Sequence, residues 1–451
     1  MNAKRPIFCA LPLFAGALLA QAPPAPDAGP LMITLQDAFA RARQYAGQVQ
    51  SANFNILQAR EDRVQARANQ LPSVSAFNQF IYTEGNGTPS GVFVANDGVH
   101  IYNEQAVVHE ELLAFVRHGE INRALAAEAV ARAKSDLAAR GLNFTVAQDY
   151  YAIVSAQRKF VNAQTSVREA EQFLDITQKQ EAGGEAAHAD VVKAQITLQQ
   201  RQRDLQDAQL AVDKARITLG VLIFPALRID YSAEDDLAQP ALLPPLPEAQ
   251  AKATATSPDL QAAKSTIQQS VYDVTVARYQ YLPSLALDVY YGIDANQFAI
   301  NTGHPTNESG RSTLPDYQVS SRRNLGYVAQ ATLNIPVWNW GSIRSKVKQA
   351  ELKQQQAELD LTVTQRELQG NIAAYYREAQ TAQNQIDSLH QSSDLSAESL
   401  RLTLLRYQAG EANALEVVDA QTTLTQARNA YDDGLTRYRV ALANLQTLTG
   451  N

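Results

Sequence analysis

The residue types that catalysis usually requires are present in this chain, but not in working patterns. His100, His109, His118, His188, His304 and His390 show no metal-ligand spacing, and His109-Glu110 lacks a second histidine four residues on. No G-x-S-x-G element occurs. The cluster Gly85-Asn86-Gly87 with Gly91 lacks the lysine of a phosphate loop and reads as a turn. The sequence therefore predicts no enzyme, no metal site and no cofactor. What remains is a carboxylate pair, Glu416 and Asp419, three residues apart and hence on one face of a helix. Close by lie Tyr407 and Gly410, and far upstream Gly183, Gly184 and Asp190. The glycines suit helix ends, where φ > 0 is wanted.

The elements that must position these residues occur twice. Gln70-Leu71-Pro72-Ser73-Val74 recurs as Tyr281-Leu282-Pro283-Ser284-Leu285, an offset of 211 (283 minus 72). Gly184 with Asp190-Val191-Val192-Lys193-Ala194-Gln195 recurs as Gly410 with Glu416-Val417-Val418-Asp419-Ala420-Gln421, an offset of 226 (410 minus 184). Asp190 and Lys193 thus stand where the second copy has Glu416 and Asp419, so the two copies differ electrostatically. The pattern predicts a first repeat over 34–222, a linker over 223–246 and a second repeat over 247–451. Each repeat reads as helix, strand, strand, long helix, helix. The first helices cover about 35–70 and 247–280, each ending before Leu-Pro. Apolar and polar residues then alternate over about 73–83, 101–113, 284–292 and 327–337, as in strands with unlike faces. Runs of some sixty-five residues without proline follow, long enough for helices of roughly 95–100 Å. Hairpin tips are predicted at about 182–187 and 408–413. On the returning helices Val191, Leu198, Leu205, Val212 and Leu219 fall seven apart, as do Val417, Leu424, Tyr431, Tyr438 and Leu445. Such rows suit antiparallel coiled-coil hairpins.

Composition narrows the class. The 451 residues carry a formal charge of −7 with no basic block, which argues against a nucleic-acid partner. One cysteine excludes a disulfide framework. Lys4 and Arg5, the apolar run 7–20 and the small residues of Ala20-Gln21-Ala22 form a signal-peptide pattern over 1–22. Cys9 lies inside it, and a Pro-rich leader follows over 23–33. Export together with ten-residue strands suggests crossing an outer membrane as β-structure. Four strands cannot close a barrel, and open edges in hydrocarbon leave unpaired backbone groups. Other copies of the chain must supply the partners: two would give eight strands, three would give twelve and a possible lumen.

Over essentially all of the mature sequence the chain resembles the TolC-like family of outer-membrane efflux channels. The resemblance rests on Leu71-Pro72 and Leu282-Pro283, on Ile335-Pro336-Val337-Trp338-Asn339-Trp340-Gly341, and on the run from Arg406-Tyr407 through Gly410 to Glu416-Val417-Val418-Asp419-Ala420-Gln421. It implies a mainly α homotrimer with a transmembrane twelve-stranded β-barrel and a twelve-helix periplasmic tunnel in a Gram-negative outer membrane. It also implies docking to a periplasmic adaptor and an inner-membrane transporter. Glu416 and Asp419 would then ring the tunnel constriction, favouring cations and raising some carboxylate pKa values by repulsion. Tyr407 and Asp190 would form a gate latch, unless Tyr407 packs and Asp190 caps its helix. Gly183, Gly184 and Gly410 would admit the adaptor at the tips. Pro72, Pro283, Pro336, Trp338 and Trp340 would mark the barrel-tunnel junction, next to outer-membrane lipid. Ala412 replaces an arginine of the family pattern, removing one charged latch. The rival readings are a self-sufficient diffusion porin, for which the long helices are unnecessary, and a periplasmic coiled-coil adaptor, which needs modules not seen here.

Overall fold

A computed structural model describes residues 31–82, 100–239, 241–296 and 325–450. The signal-peptide pattern with Cys9, the Pro-rich stretch to residue 30, the turn around Asn86 and most of the loop 292–326 lie outside the described residues. One element order occurs twice. The first half has β1 (Leu31–Ile33), α1 (Leu35–Tyr45), α2 (Gly47–Ala68), β2 (Ser73–Tyr82), β3 (His100–Leu113), α3 (Phe115–Ala182) and α4 (His188–Ile223). The second has β4 (Tyr231–Ala233), α5 (Leu246–Thr256), α6 (Pro258–Tyr279), β5 (Ser284–Asn296), β6 (Leu325–Asn334), α7 (Ser342–Gln408) and α8 (Ala414–Thr449).

Two readings are corrected at this level. Each first helix is divided in two. Pro258 disfavours helical backbone at Ser257, which is extended at φ −62°, ψ 116° and caps α6 through Leu260 N–H. Ala46 is extended in the same way before Gly47, although no proline forces it. The segment between repeats is also no loose linker. Its β4 pairs in parallel with β1, which falls in the expected leader. Side chains of the long helices fasten the rest. The Tyr150 hydroxyl lies 2.8 Å from the Glu234 carbonyl and 3.2 Å from that of Ile33. Tyr438 donates to the Ala241 carbonyl at 2.6 Å, and Arg158 joins Asp235 at 2.6 Å to Asp432 at 3.0 Å. Ile33, Leu142, Val146, Ile153, Leu219 and Ile223 form the fully buried core beneath this belt. Burial pushes the Tyr150 and Tyr231 hydroxyls well above the ordinary tyrosine range.

The long helices act as rails. Toward the strands the packing order is α2, α3, α6, α7; toward the tips it is α4, α3, α8, α7. At 68 residues α3 runs roughly 100 Å. No described helix is long and apolar enough to cross a membrane. The four larger strands form one antiparallel sheet in the order β2-β3-β5-β6. Its register puts Val74, Val108, Val289 and Ala329 in one cross-strand row and Ser73, His109, Asp288 and Gln330 in the next. One face is therefore more apolar than the other, and His109 Nδ1 meets Asp288 Oδ1 at 2.6 Å on the polar one. Within the chain both outer strands, β2 and β6, have one unpaired edge.

Candidate functional site

At the far end of the helical layer both hairpins stop in the same way. Glu185 N–H donates to the Gln180 carbonyl at 2.8 Å and Gly184 N–H to that of Glu181 at 2.9 Å. In the second hairpin Glu411 N–H donates to Arg406 at 2.8 Å and Gly410 N–H to Tyr407 at 3.0 Å. These paired six-to-one and five-to-two bonds are the Schellman arrangement, which needs a left-handed residue. Gly184 (φ 80°) and Gly410 (φ 76°) supply it. Gly183 does not. It is a right-handed C-cap at φ −81°, so the backbone reason expected for all three glycines holds for two.

Beyond the turns the hairpins diverge. Asn413 caps α8 by accepting from Glu416 N–H at 3.0 Å, and its own N–H donates to Glu416 Oε1 at 3.2 Å. Arg406 reaches across the turn to Glu416 Oε2 at 3.4 Å and to the Glu411 carbonyl at 3.1 Å. Glu416 is thus a capping-box carboxylate with a cation beside it. Asp419, one turn further, is exposed and its carboxylate has no ion pair among the described residues. The first hairpin has no such cap: Ala187 begins α4 with no side-chain bond, and His188 Nδ1 spans the turn to Glu181 at 2.6 Å.

The expected bond between Tyr407 and Asp190 is absent within the chain. Tyr407 is 4% exposed, its ring edge-on to Phe173 at 5.3 Å, packed with Ala194, Ala414, Val417 and Leu424. Burial raises its hydroxyl pKa; adjacent Thr177 opposes this, and the charge of Asp190 adds to it. Yet the hydroxyl makes no hydrogen bond to either. Nor does Asp190 cap α4 through its side chain. The hairpins are joined instead through Gln180, whose amide donates to the Tyr407 carbonyl at 3.3 Å and that of Gln408 at 3.4 Å. Higher up, Arg428 pairs with Glu169 at 2.9 Å and Arg201 donates to Thr422 at 2.9 Å. Sequence reasoning missed Arg406, Asn413, Phe173 and Gln180. Only the Asn413-x-x-Glu416 spacing was a readable signal for one of them.

At the opposite end, Pro72 and Pro283 occupy the short bends from α2 into β2 and from α6 into β5. Pro336 follows β6. Trp338 and Trp340 are both exposed and meet edge-on at 5.7 Å before α7 begins. Among the described residues no group of three metal-ligating side chains gathers.

Known proteins place this architecture. The family model for Outer membrane efflux protein matches residues 250–451. A pyoverdine export outer membrane protein, OpmQ of Pseudomonas putida, is 25% identical over 63% of this chain, which spans 56% of that relative's length. Among solved structures, the CmeC outer membrane channel of Campylobacter jejuni aligns with a TM-score of 0.78 at 16% identity, covering 92% of this chain and 85% of that one. VceC of Vibrio cholerae aligns with a TM-score of 0.75 at 16% identity, covering 92% and 96%. A duplicated helical layer ending in a four-stranded sheet is the fold this chain shares with these channels over nearly its whole length, and the second repeat is the part that matches the Outer membrane efflux protein model.

Proposed function

We propose that this protein is the passive outer-membrane exit duct of a tripartite efflux or type I secretion system. Three copies join their sheets into a twelve-stranded barrel and their helical layers into a periplasmic tunnel. A periplasmic adaptor and an inner-membrane transporter hand cargo to it, and it catalyses no reaction and carries no cofactor. The observation that carries this reading is the matched pair of open sides. The sheet ends at β2 and β6, and the helical layer ends at α2 and α4 on one side and at α7 on the other. Unpaired strand edges are intolerable in hydrocarbon, and a closed ring of identical copies satisfies every one of them. Strands of 10 to 14 residues have the length a tilted crossing needs.

Gating belongs to the tips. Asp419 is the carboxylate free to line the constriction, while Glu416 is tied to its cap and to Arg406. The test is planar-bilayer recording on the purified oligomer. A gated duct is mostly shut and cation-preferring, whereas a steady, large, weakly selective conductance would favour a diffusion porin and overturn the gate.

A further inference from the structure

The turn from β6 into α7 is built in a strained form. Ser342 N–H donates to the Asn339 carbonyl at 3.0 Å, and both central residues are left-handed, Trp340 at φ 53° and Gly341 at φ 83°. Positive φ at both positions is the type I′ pattern, which favours Asn or Gly at each. Gly341 fits. Trp340 does not, because its Cβ crowds the backbone there, and it is the sole non-glycine residue with positive φ among those described. Strain kept where an asparagine would relieve it points to use of the side chain. The turn presents both indoles outward, Trp340 at 89% and Trp338 at 75% exposure, flanked by exposed Ile335 and Val337.

Charge completes the feature. In the first turns of α7, Arg344 and Lys348 stand four apart on one face, both exposed and neither with an ion pair or hydrogen bond among the described residues. Lys346 is different: its ammonium donates to Gln280 Oε1 at 3.1 Å. At the matching junction of the first half no such free cation stands near the strand among the described residues, since Arg117 is held by Glu111 at 2.7 Å. An aromatic pair followed by two uncommitted cations has one apolar and one cationic requirement to satisfy.

We propose that this turn and the start of α7 form a binding site for an anionic phospholipid of the periplasmic leaflet. The Trp338 and Trp340 rings lie at the level of the headgroup-acyl boundary, and Arg344 and Lys348 take the phosphate. The site rests on the outer-membrane duct reading and deepens it by naming the lipid class. A lipid is favoured over a second copy of the chain because the exposed rings and the exposed, unpaired Arg344 and Lys348 follow one another within eleven residues, and an anionic headgroup beneath an acyl layer meets both the apolar and the cationic requirement.

Trp338 and Trp340 are the chain's 2 tryptophans, so intrinsic tryptophan emission reports on this turn alone. The full chain is reconstituted in phosphatidylcholine vesicles doped, at equal mole fraction, with brominated phosphatidylcholine or brominated phosphatidylglycerol. The expected result is stronger quenching by the anionic lipid, with roughly fivefold local enrichment for each cation. Arg344→Gln with Lys348→Gln keeps the quenching but makes the two lipids equal. Equal quenching in the unsubstituted protein overturns the proposal. So does unquenched emission typical of a dry indole, which would mean that a neighbouring copy covers the turn. Protease protection of the same vesicles separates the two levels: a membrane-inserted, protected sheet with unquenched tryptophan rejects the lipid site and leaves the duct standing, while failure to insert together with absent quenching removes both.

Discussion

Tyr407 and Asp419 make opposite demands on their surroundings. Tyr407 is buried against Phe173, and its hydroxyl has no hydrogen-bond partner among the described residues. Removing a buried, unpartnered hydroxyl leaves nothing else unsatisfied. Tyr407→Phe is therefore expected to hold stability or raise it by about 1 kcal/mol, whereas Tyr407→Ala costs about 3 kcal/mol through the cavity it opens. Denaturant unfolding of the solubilised protein measures both, and a clear loss in Tyr407→Phe would restore the latch to Asp190. For Asp419 the contrast is with Glu416, whose charge Arg406 offsets at 3.4 Å. Asp419→Asn should lower cation selectivity in reversal-potential measurements more than Glu416→Gln does, because glutamine at that position still serves the capping box. Equal losses from the two substitutions would mean that both carboxylates face the constriction unpaired. The sequence made Glu416 and Asp419 look equivalent. Only the Asn413 cap and a cation ten residues upstream distinguish them.

The elements themselves were largely legible, for physical reasons that also explain the exceptions. The seven-residue row from Val417 to Leu445 reflects burial of one face: Val417, Leu424, Tyr438 and Leu445 are inside and Tyr431 is partly so, whereas the alternation of β2 and β6 marks unlike faces that are both exposed within one chain. Ser257-Pro258 announced a break in the second half, whereas at Ala46 only Gly47 hinted at one. The belt over 223–246 was illegible because it is held by tyrosine and arginine bonds to backbone carbonyls some 15 to 203 residues away in the chain. A similar long-range bond joins α2 to α3. Glu128, 3% exposed, accepts from Arg63 at 2.6 Å and from Arg132 at 2.5 Å. Burial alone would push its carboxyl up, but hydrogen bonds from Arg132 and Arg63 outweigh this and hold it below the ordinary carboxylate range. A lowered folded-state pKa means that the contribution is complete above the unfolded value and is lost as pH falls through the folded one. Glu128→Gln should therefore cost about 2 kcal/mol at neutral pH, and the gap to the parent protein should narrow on acidification below about pH 4. A gap that stays constant with pH would assign Glu128 a packing role only.

At the scale of the whole molecule, the proposal stands or falls on what meets the edges of the sheet. In an up-and-down ring β2 of one copy runs antiparallel to β6 of the next, because β2 leaves the helical layer and β6 returns to it. Ser73 and Ser75 share the polar face of the sheet with Gln330, Thr332 and Asn334, at the end nearest the helices. Those two groups should therefore approach each other across the junction between copies. Cysteine chemistry can read this directly, since the only natural cysteine, Cys9, lies in the expected signal peptide. Pairs that combine cysteine at Ser73 or Ser75 with cysteine at Thr332 or Asn334 should oxidise to a ladder of dimer and trimer, ending at trimer. The pairing register fixes which combination reacts fastest, because side chains on the same face recur every second residue. Within one copy the same pairs are separated by the intervening strands β3 and β5. Mild oxidation of membranes followed by denaturing electrophoresis distinguishes the outcomes. A ladder that stops at dimer would favour an eight-stranded closure filled by its own side chains, and with it a protein that could not serve as a duct. A product confined to the monomer in every combination would show that the edges are met by something other than a second copy.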